Sequence, residues 1–181
     1  NGLNELRTIR FGSSSFAETE SFSIGNSSLT LLNELSFGEG SLIGVHSLSI
    51  GSNSFNSLPS FPFYSLSQIT SITIGSSSLN EMESFNINSF HSLNQLIIGS
   101  SSLNNLNAIS FNSTSLNRLI IESNCLMQLK SIELNELNSV SVMSIGSNSM
   151  RGLESLRIGS VSRRILSSFG ISTCSTNDCM I

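Results

Sequence analysis

Few side chains of this sequence belong to the types that usually carry out chemistry. The two histidines are His46 and His91, and the single aspartate is Asp178. Neither histidine lies in a spacing that would assemble a metal site. Serine is abundant, but no GxSxG motif places a serine where a base and an acid could activate it. We therefore expect no enzyme activity, no catalytic or metal-ligating residue and no cofactor.

The three cysteines are the remaining residues with redox chemistry. Cys174 and Cys179 lie close together near the end of the sequence, whereas Cys125 lies within a repeated segment. A close pair could form a disulfide in an oxidising compartment. The sequence leaves both the bonded and the free state open.

Composition excludes several classes of protein. Only 11 % of the 181 residues are charged, and the net charge of −4 with a pI near 5.1 argues against nucleic acid as the main partner. No apolar run approaches the roughly 18–20 residues that are needed to span a bilayer. Serine and asparagine supply the polar surface instead of charge.

Isoleucine recurs at a nearly constant interval and is mostly followed by glycine. A hydrophobic residue lies two positions before each isoleucine, which is the alternation of a short strand with one buried face. The following glycines form a turn column rather than a phosphate-binding loop. A period of this length indicates a solenoid of stacked coils. The isoleucines are Ile24, Ile50, Ile74, Ile98, Ile121 and Ile145, which are 26, 24, 24, 23 and 24 residues apart.

A second short strand follows the first in each coil. About seven buried side chains in one coil contribute roughly 1.5–3 kcal/mol each, whereas ordering about two dozen residues costs roughly 1–2 kcal/mol apiece. A single coil therefore cannot fold alone, and we predict a mainly β stack of about six and a half coils. The inward column of the second strand is Phe11, Phe37, Phe63, Ile87, Phe111, Leu134 and Ile158.

The repeated pattern LxxLxIGxNxL resembles the leucine-rich repeat, LxxLxLxxNxL. The coil from Val45 through Leu48, Ile50 and Asn53 to Phe55 is among the best matches. The variable half of each coil, with its SF and SL pairs, is similar to the BspA-like repeats of bacterial and protist surface proteins. This resemblance covers nearly all of residues 3–160.

The resemblance implies a fold and a role for three asparagines. In leucine-rich repeats the first strands form a parallel sheet on the concave side. The regularity of the second strand adds the expectation of a short second ladder on the convex side. The asparagine of the family motif points inward and bonds to backbone groups, and here it corresponds to Asn53, Asn124 and Asn148.

The periodic pattern decays after Ile158. We expect an array over residues 1–160, followed at 161–181 by a degenerate final repeat or a C-terminal cap. Continuation of the array beyond Ile181 explains the decay equally well.

The outward positions of the first strands change in character along the array. The early coils present serine and threonine, whereas the later coils present the residues Gln95, Ile97, Arg118, Ile120 and Val142. Exposed aliphatic residues on adjacent strands form a patch of the kind that marks contact surfaces. The alternative is that β-branched residues are present only because they suit strands.

Two N-x-S/T sequons, at Asn26 and Asn112, are predicted to lie in turns just after a strand. Glycans there would agree with an extracellular or cell-surface location.

These features favour a non-catalytic recognition or adhesion module that binds protein or glycan through its concave sheet. The first alternative is a structural unit that assembles with copies of itself into a fibril or surface layer. A weaker alternative is an ice- or crystal-binding face formed by the hydroxyl rows. Neither nucleic acid nor a membrane span is expected.

Overall fold

A computed structural model describes residues 3–87 and 90–159 and the backbone of residues 179 and 180. Short strands account for nearly all of its regular structure. A 3-10 helix at Phe63–Ser65 interrupts their succession. The strands are β1 (Thr8–Phe11), β2 (Ser21–Ile24), β3 (Glu34–Phe37), β4 (Ser47–Ile50), β5 (Ser71–Ile74), β6 (Gln95–Ile98), β7 (Ala108–Asn112), β8 (Arg118–Ile121), β9 (Ser131–Asn135), β10 (Val142–Ile145), β11 (Ser155–Ile158) and β12 (Cys179–Met180).

The first strand of each coil joins a parallel six-stranded sheet in the order β10-β8-β6-β5-β4-β2. Each pair is in the register that the sequence columns predict. Ile74, for example, pairs with Ile50 on one side and with Ile98 on the other. The predicted mainly β solenoid is confirmed, with about six turns.

The second ladder is present but interrupted. Phe63 and Ile87 are buried, as the inward column predicts, but the strands expected there are not formed in the described part of the chain, so continuous pairing through the middle of the array is wrong. Strands β1 and β3 form one parallel pair, while β7, β9 and β11 form a separate sheet. Between them the chain adopts the 3-10 helix, and the described residues of the next coil contribute a single bridge, from Asn86 to Ser110. Pro62, which lacks an N–H to donate to a ladder, immediately precedes the helix.

The core lies between the two ladders and is continuous along the array. Phe63 remains inward although its backbone is not a strand, because its ring packs 4.7 Å from that of Phe85, centroid to centroid. Phe11 stacks on Phe37 at 4.9 Å in the same way. Side chains from successive coils therefore fill one interior, which supplies the burial that a single coil lacks.

Glycine in the turn column lets successive coils approach closely. A Cβ added at Gly99 would lie 2.7 Å from the carbonyl carbon of Gly75 and 2.7 Å from the nitrogen of Ser76. Both are backbone atoms of the preceding coil and cannot move aside like a flexible side chain. A Cβ at Gly25, by contrast, would have the Oγ of Ser28 as its nearest neighbour, at 3.6 Å. Glycine is thus a packing requirement at Gly51, Gly75, Gly99 and Gly146, whereas in the fifth coil the column is occupied by Glu122.

The last described strand is antiparallel to its neighbour, unlike the other strands of the sheets. Strand β12 pairs antiparallel with β11, with Arg157 opposite Met180 and Ile158 opposite Cys179. It covers the outer edge of β11 and does not extend the parallel ladder. The predicted boundary at residue 160 and the remainder of segment 161–181 lie outside the described residues, and that division stays a prediction.

Replacing Gly99 by alanine should lower the free energy of unfolding by about 1–3 kcal/mol, because the new methyl group overlaps backbone of the preceding coil. The matched control is Gly25→Ala, which should be neutral because ordinary contact distance is available. Urea denaturation followed by circular dichroism measures both variants. Equal stability of the two would contradict close packing at the glycine column.

Candidate functional site

The outward side chains of the six-stranded sheet form a surface that we call the outer face. Alternation along each strand directs every second side chain away from the core. In β6, for example, Leu96 and Ile98 are fully buried while Gln95 and Ile97 are partly exposed. The face consists of Ser21, Ser23, Ser47, Ser49, Ser71, Thr73, Gln95, Ile97, Arg118, Ile120, Val142 and Ser144.

All five residues predicted as a binding surface lie together on this face. Gln95, Arg118 and Val142 occupy one row of register partners, and Ile97 lies beside Ile120 in the neighbouring row. Val142 is 40 % exposed. Adjacent rows are a strand repeat apart, roughly 7 Å, and neighbouring strands are about 4.8 Å apart. The aliphatic groups therefore form one contiguous patch.

The other half of the outer face is a regular array of hydroxyl groups. Ser47 pairs in register with Ser21 and Ser71, and Ser49 pairs with Ser23 and Thr73. The Gln95 amide joins the two halves by donating a hydrogen bond from Nε2 to the Oγ of Ser71 at 3.3 Å. The face as a whole is uncharged except at Arg118.

A groove of about 630 Å³ lies on the other side of the solenoid and was not predicted from sequence. Most of the outward side chains that line the groove are small. Glu133 and Arg157 also line it, with Oε1 of the glutamate 3.7 Å from Nη1 of the arginine. The groove extends over β7, β9 and β11 from the interruption of the second ladder, where the described residues of the coil at Asn86 make one isolated bridge to β7. Sequence columns cannot reveal such a gap, since Phe85 and Ile87 match the strand pattern.

The three asparagines expected to point inward are exposed, so that expectation is corrected. Their backbone has a left-handed conformation, with φ of 56° at Asn53, 60° at Asn124 and 61° at Asn148. Asparagine tolerates this region better than most residues do. Asn124 and Asn148 also contact each other at the surface, Nδ2 to Oδ1, at 3.4 Å. The asparagine column therefore serves the turn conformation.

A buried column one residue further along replaces the expected asparagine ladder. The hydroxyl of Ser78 donates to the carbonyl of Gly51 at 2.8 Å and accepts the N–H of Ser54 at 3.1 Å, both in the preceding coil. Ser54 and Ser102 donate equivalent bonds to Gly25 and Gly75. A small polar residue recurs four positions after each isoleucine, and that signal could have revealed this column from the sequence.

Cys125 occupies the same column in place of serine. Its Sγ lies 3.0 Å from the carbonyl oxygen of Gly99, where the serines donate their hydroxyls. Burial raises the pKa of the Cys125 thiol, so the group remains protonated and can donate at neutral pH. Cys125 is free. Cys174 and the side chain of Cys179 lie outside the described residues, so their disulfide stays a prediction.

Both sequon asparagines are exposed, but their settings differ. Asn26 lies in the turn after β2, as predicted, and its Oδ1 accepts the N–H of Ser52 at 2.8 Å. Asn112 is the last residue of β7 rather than a residue of the following turn. Ser113, the next residue, is buried. Glycosylation at both sites stays a prediction.

His46 and His91 are both exposed. Within the described part of the chain, no group of three histidine, cysteine, aspartate or glutamate residues is arranged to hold a metal ion. The same residues contain no helix that is long and apolar enough to cross a membrane.

Comparison of the chain with protein-family models, with curated proteins and with solved structures finds no match.

Replacing Ser78 by alanine should lower the free energy of unfolding by about 1–3 kcal/mol, because a buried carbonyl and a buried N–H lose their partner. The exposed Ser92 provides a control, since Ser92→Ala removes a hydroxyl that water can reach. Cys125→Ser should be tolerated, because serine occupies this column in other coils. Chemical denaturation of the three variants measures these effects, and equal stability of the two alanine variants would refute the buried role.

Two substitutions at Asn124 distinguish a role in the turn conformation from a role as an inward-pointing amide. Asn124→Leu should cost about 1–2 kcal/mol, because a residue with a bulky side chain is disfavoured at positive φ. Asn124→Gly should be nearly neutral, since glycine adopts this conformation readily. Thermal melts of the two variants compare them. Equal destabilisation by leucine and glycine would restore the inward-amide interpretation.

Proposed function

We propose that this chain is a non-catalytic recognition or adhesion module that binds a protein or glycan through the outer face. The observation that supports this most is the contiguous placement of Ile97, Ile120 and Val142 beside Gln95 and Arg118. Exposed aliphatic groups around one arginine resemble the central composition of protein interfaces. The hydroxyl half would form a polar rim that hydrogen-bonds the periphery of the partner.

Only side chains can make such contacts on this face. The backbone N–H and C=O groups of the inner strands of the sheet are directed along the ladder to neighbouring strands. Specificity must therefore come from the outward residues, whose chemical character varies along the array while the inward residues of the sheet are hydrophobic in every coil. The inward residues fix the spacing of the coils, and the outward residues are free to differ and to determine which partner is bound.

We further propose that the chain is a leucine-rich-repeat protein of the BspA-like type and acts outside the cell or at its surface. The spacing of Leu48, Ile50 and Asn53 and the parallel solenoid support the relationship. The buried serine column is a departure from the family asparagine. Asn26 and Asn112 are exposed, so glycans would have room there, and mass spectrometry of protein from its native source tests for them.

Self-assembly is the second candidate. Strand β2 pairs only with β4 among the described residues, so its other edge presents backbone groups that another copy could pair with. A fibril or surface layer would result if copies added along the solenoid axis. The regular hydroxyl array keeps an ice- or crystal-binding face as a weaker candidate, although that array spans only three coils.

Replacement of Ile97 and Ile120 together by asparagine tests the proposed surface. Neither residue is in a core column, so the double variant should keep the circular dichroism and solubility of the parent chain. Its binding to an array of glycans and extracellular protein domains should fall at least tenfold, because the apolar centre of the interface is lost. The control is Ser36→Asn with Ser110→Asn on the opposite ladders, which should leave binding unchanged.

Three results would contradict this proposal. If the parent chain binds none of the glycans and protein domains tested, the proposed recognition function is contradicted. Unchanged binding by the Ile97 and Ile120 double variant would place the working surface elsewhere. Long filaments in electron micrographs of the parent chain, unaffected by either variant, would favour self-assembly through the solenoid ends.

A further inference from the structure

The described cations of this chain fall into two groups according to their partners. Three of them form ion pairs with a glutamate of a neighbouring coil: Arg10 with Glu34 at 2.7 Å, Lys130 with Glu154 at 2.6 Å and Arg157 with Glu133 at 3.7 Å. Arg118 has no acidic partner among residues 3–87 and 90–159. Arg7 and Arg151 also form no ion pair among these residues, but Arg118 is the one described cation that lies on the outer face, where no outward residue carries a carboxylate.

The register explains why Arg118 is not paired. Its neighbours in the same row are Gln95 on β6 and Val142 on β10. On the opposite ladder, the equivalent neighbour of Arg157 is Glu133. A glutamate at position 95 or 142 would have created the same kind of pair. Instead, the outer face carries one guanidinium and no carboxylate among its outward residues.

The surroundings of Arg118 combine three kinds of chemical group. The guanidinium can bind a carboxylate through two parallel hydrogen bonds. Ile97 and Ile120, in the neighbouring row, offer an apolar surface roughly 7 Å away along the strand direction. Gln95, Ser71 and Thr73 offer amide and hydroxyl groups that both donate and accept hydrogen bonds.

We propose that the outer face binds a glycan that carries a carboxylated sugar, with the carboxylate held by Arg118. The C–H surface of the sugar packs on Ile97 and Ile120, and its hydroxyl groups bond to Gln95 and the neighbouring hydroxyl rows. This inference rests on the proposed recognition function and names the class of its ligand.

The hydroxyl rows favour a glycan over an acidic peptide. One recurring mode of peptide recognition is backbone pairing at a sheet edge, whereas Arg118 lies on the face of an inner strand, between β6 and β10. A polyhydroxyl chain needs partners that both donate and accept, and the serine and threonine side chains of β4 and β5 continue such partners away from Arg118.

The test uses polymers that display 3′-sialyllactose, which carries a carboxylate, or lactose, which does not, on a biosensor surface. The parent chain should bind the sialylated polymer at least about tenfold more tightly, since a charge-assisted bidentate contact is at stake. Arg118→Gln should reduce its binding to the lactose level, and Arg118→Lys should be intermediate because the charge remains without the planar fork. Arg7→Gln is the control, because Arg7 is an exposed arginine just before β1 on a different sheet.

Equal binding of the two polymers, or unchanged binding by Arg118→Gln, would overturn the inference. Stronger binding to poly-glutamate than to the sialylated polymer, lost in Arg118→Gln, would overturn it in favour of an acidic peptide. Absence of binding to either sugar polymer, while the Ile97 and Ile120 double variant still loses a protein partner, would overturn this inference and leave the proposed function intact. Absence of binding in all these assays would remove both.

Discussion

Backbone contact between successive coils, at the corner that follows each first strand, is the constraint on which the rest of this structure depends. At Gly99 the coils are so close that a single Cβ would overlap the preceding backbone. Directly beside this contact, Ser78 and its equivalents bond two backbone groups of the neighbouring coil. Close approach and a buried hydroxyl are therefore one arrangement, because only a short polar side chain fits and satisfies those groups.

This corner also fixes the backbone conformation around it. Two residues of the corner adopt positive φ in most coils, as Asn53 and Phe55 do at 56° and 55°. Such a conformation is unfavourable for phenylalanine or leucine in isolation. Stacking compensates, since each corner is bonded to its neighbours and buries its Leu or Phe in the shared core. The conformation therefore belongs to the array and would not survive in one coil.

A fixed corner sets the register of the six-stranded sheet and so determines the outer face. Inward positions are occupied by hydrophobic residues in every coil, whereas outward positions range from serine to isoleucine to arginine. Recognition can vary on this face without any cost to the core. The uncompensated Arg118 is informative for that reason, because nothing in the packing requires a cation there.

The sequence predicted those parts of the fold that depend on the hydrophobic period. Columns such as Ile50, Ile74 and Ile98 could be read directly, since alternation and a period near 24 residues admit one register. The break at Phe63 was missed because that residue keeps the hydrophobic column, although Pro62 before it was a signal against a paired strand. The groove beside Asn86 could not be predicted, because Phe85 and Ile87 keep the hydrophobic pattern where strand pairing is reduced to a bridge among the described residues.

The inward polar column was predicted one position too early. The family resemblance favoured Asn53, although Ser54 is the buried residue. A side chain that suits a left-handed turn and one that bonds across coils are both small and polar, so composition alone does not separate them. Placement of Gln95, Ile97 and Arg118 on one face needed only strand alternation, which is why it could be predicted.

Amide hydrogen exchange measured by NMR tests the buried corner most directly. The N–H groups of Ser54 and Ser78 donate to the hydroxyls of Ser78 and Ser102, both at 3.1 Å. They are therefore predicted to exchange as slowly as the N–H groups of Ile72 and Ile74 in strand β5. Exchange of Ser54 and Ser78 at the fast rate of exposed turn residues, while β5 stays protected, would contradict a structure held together at this corner.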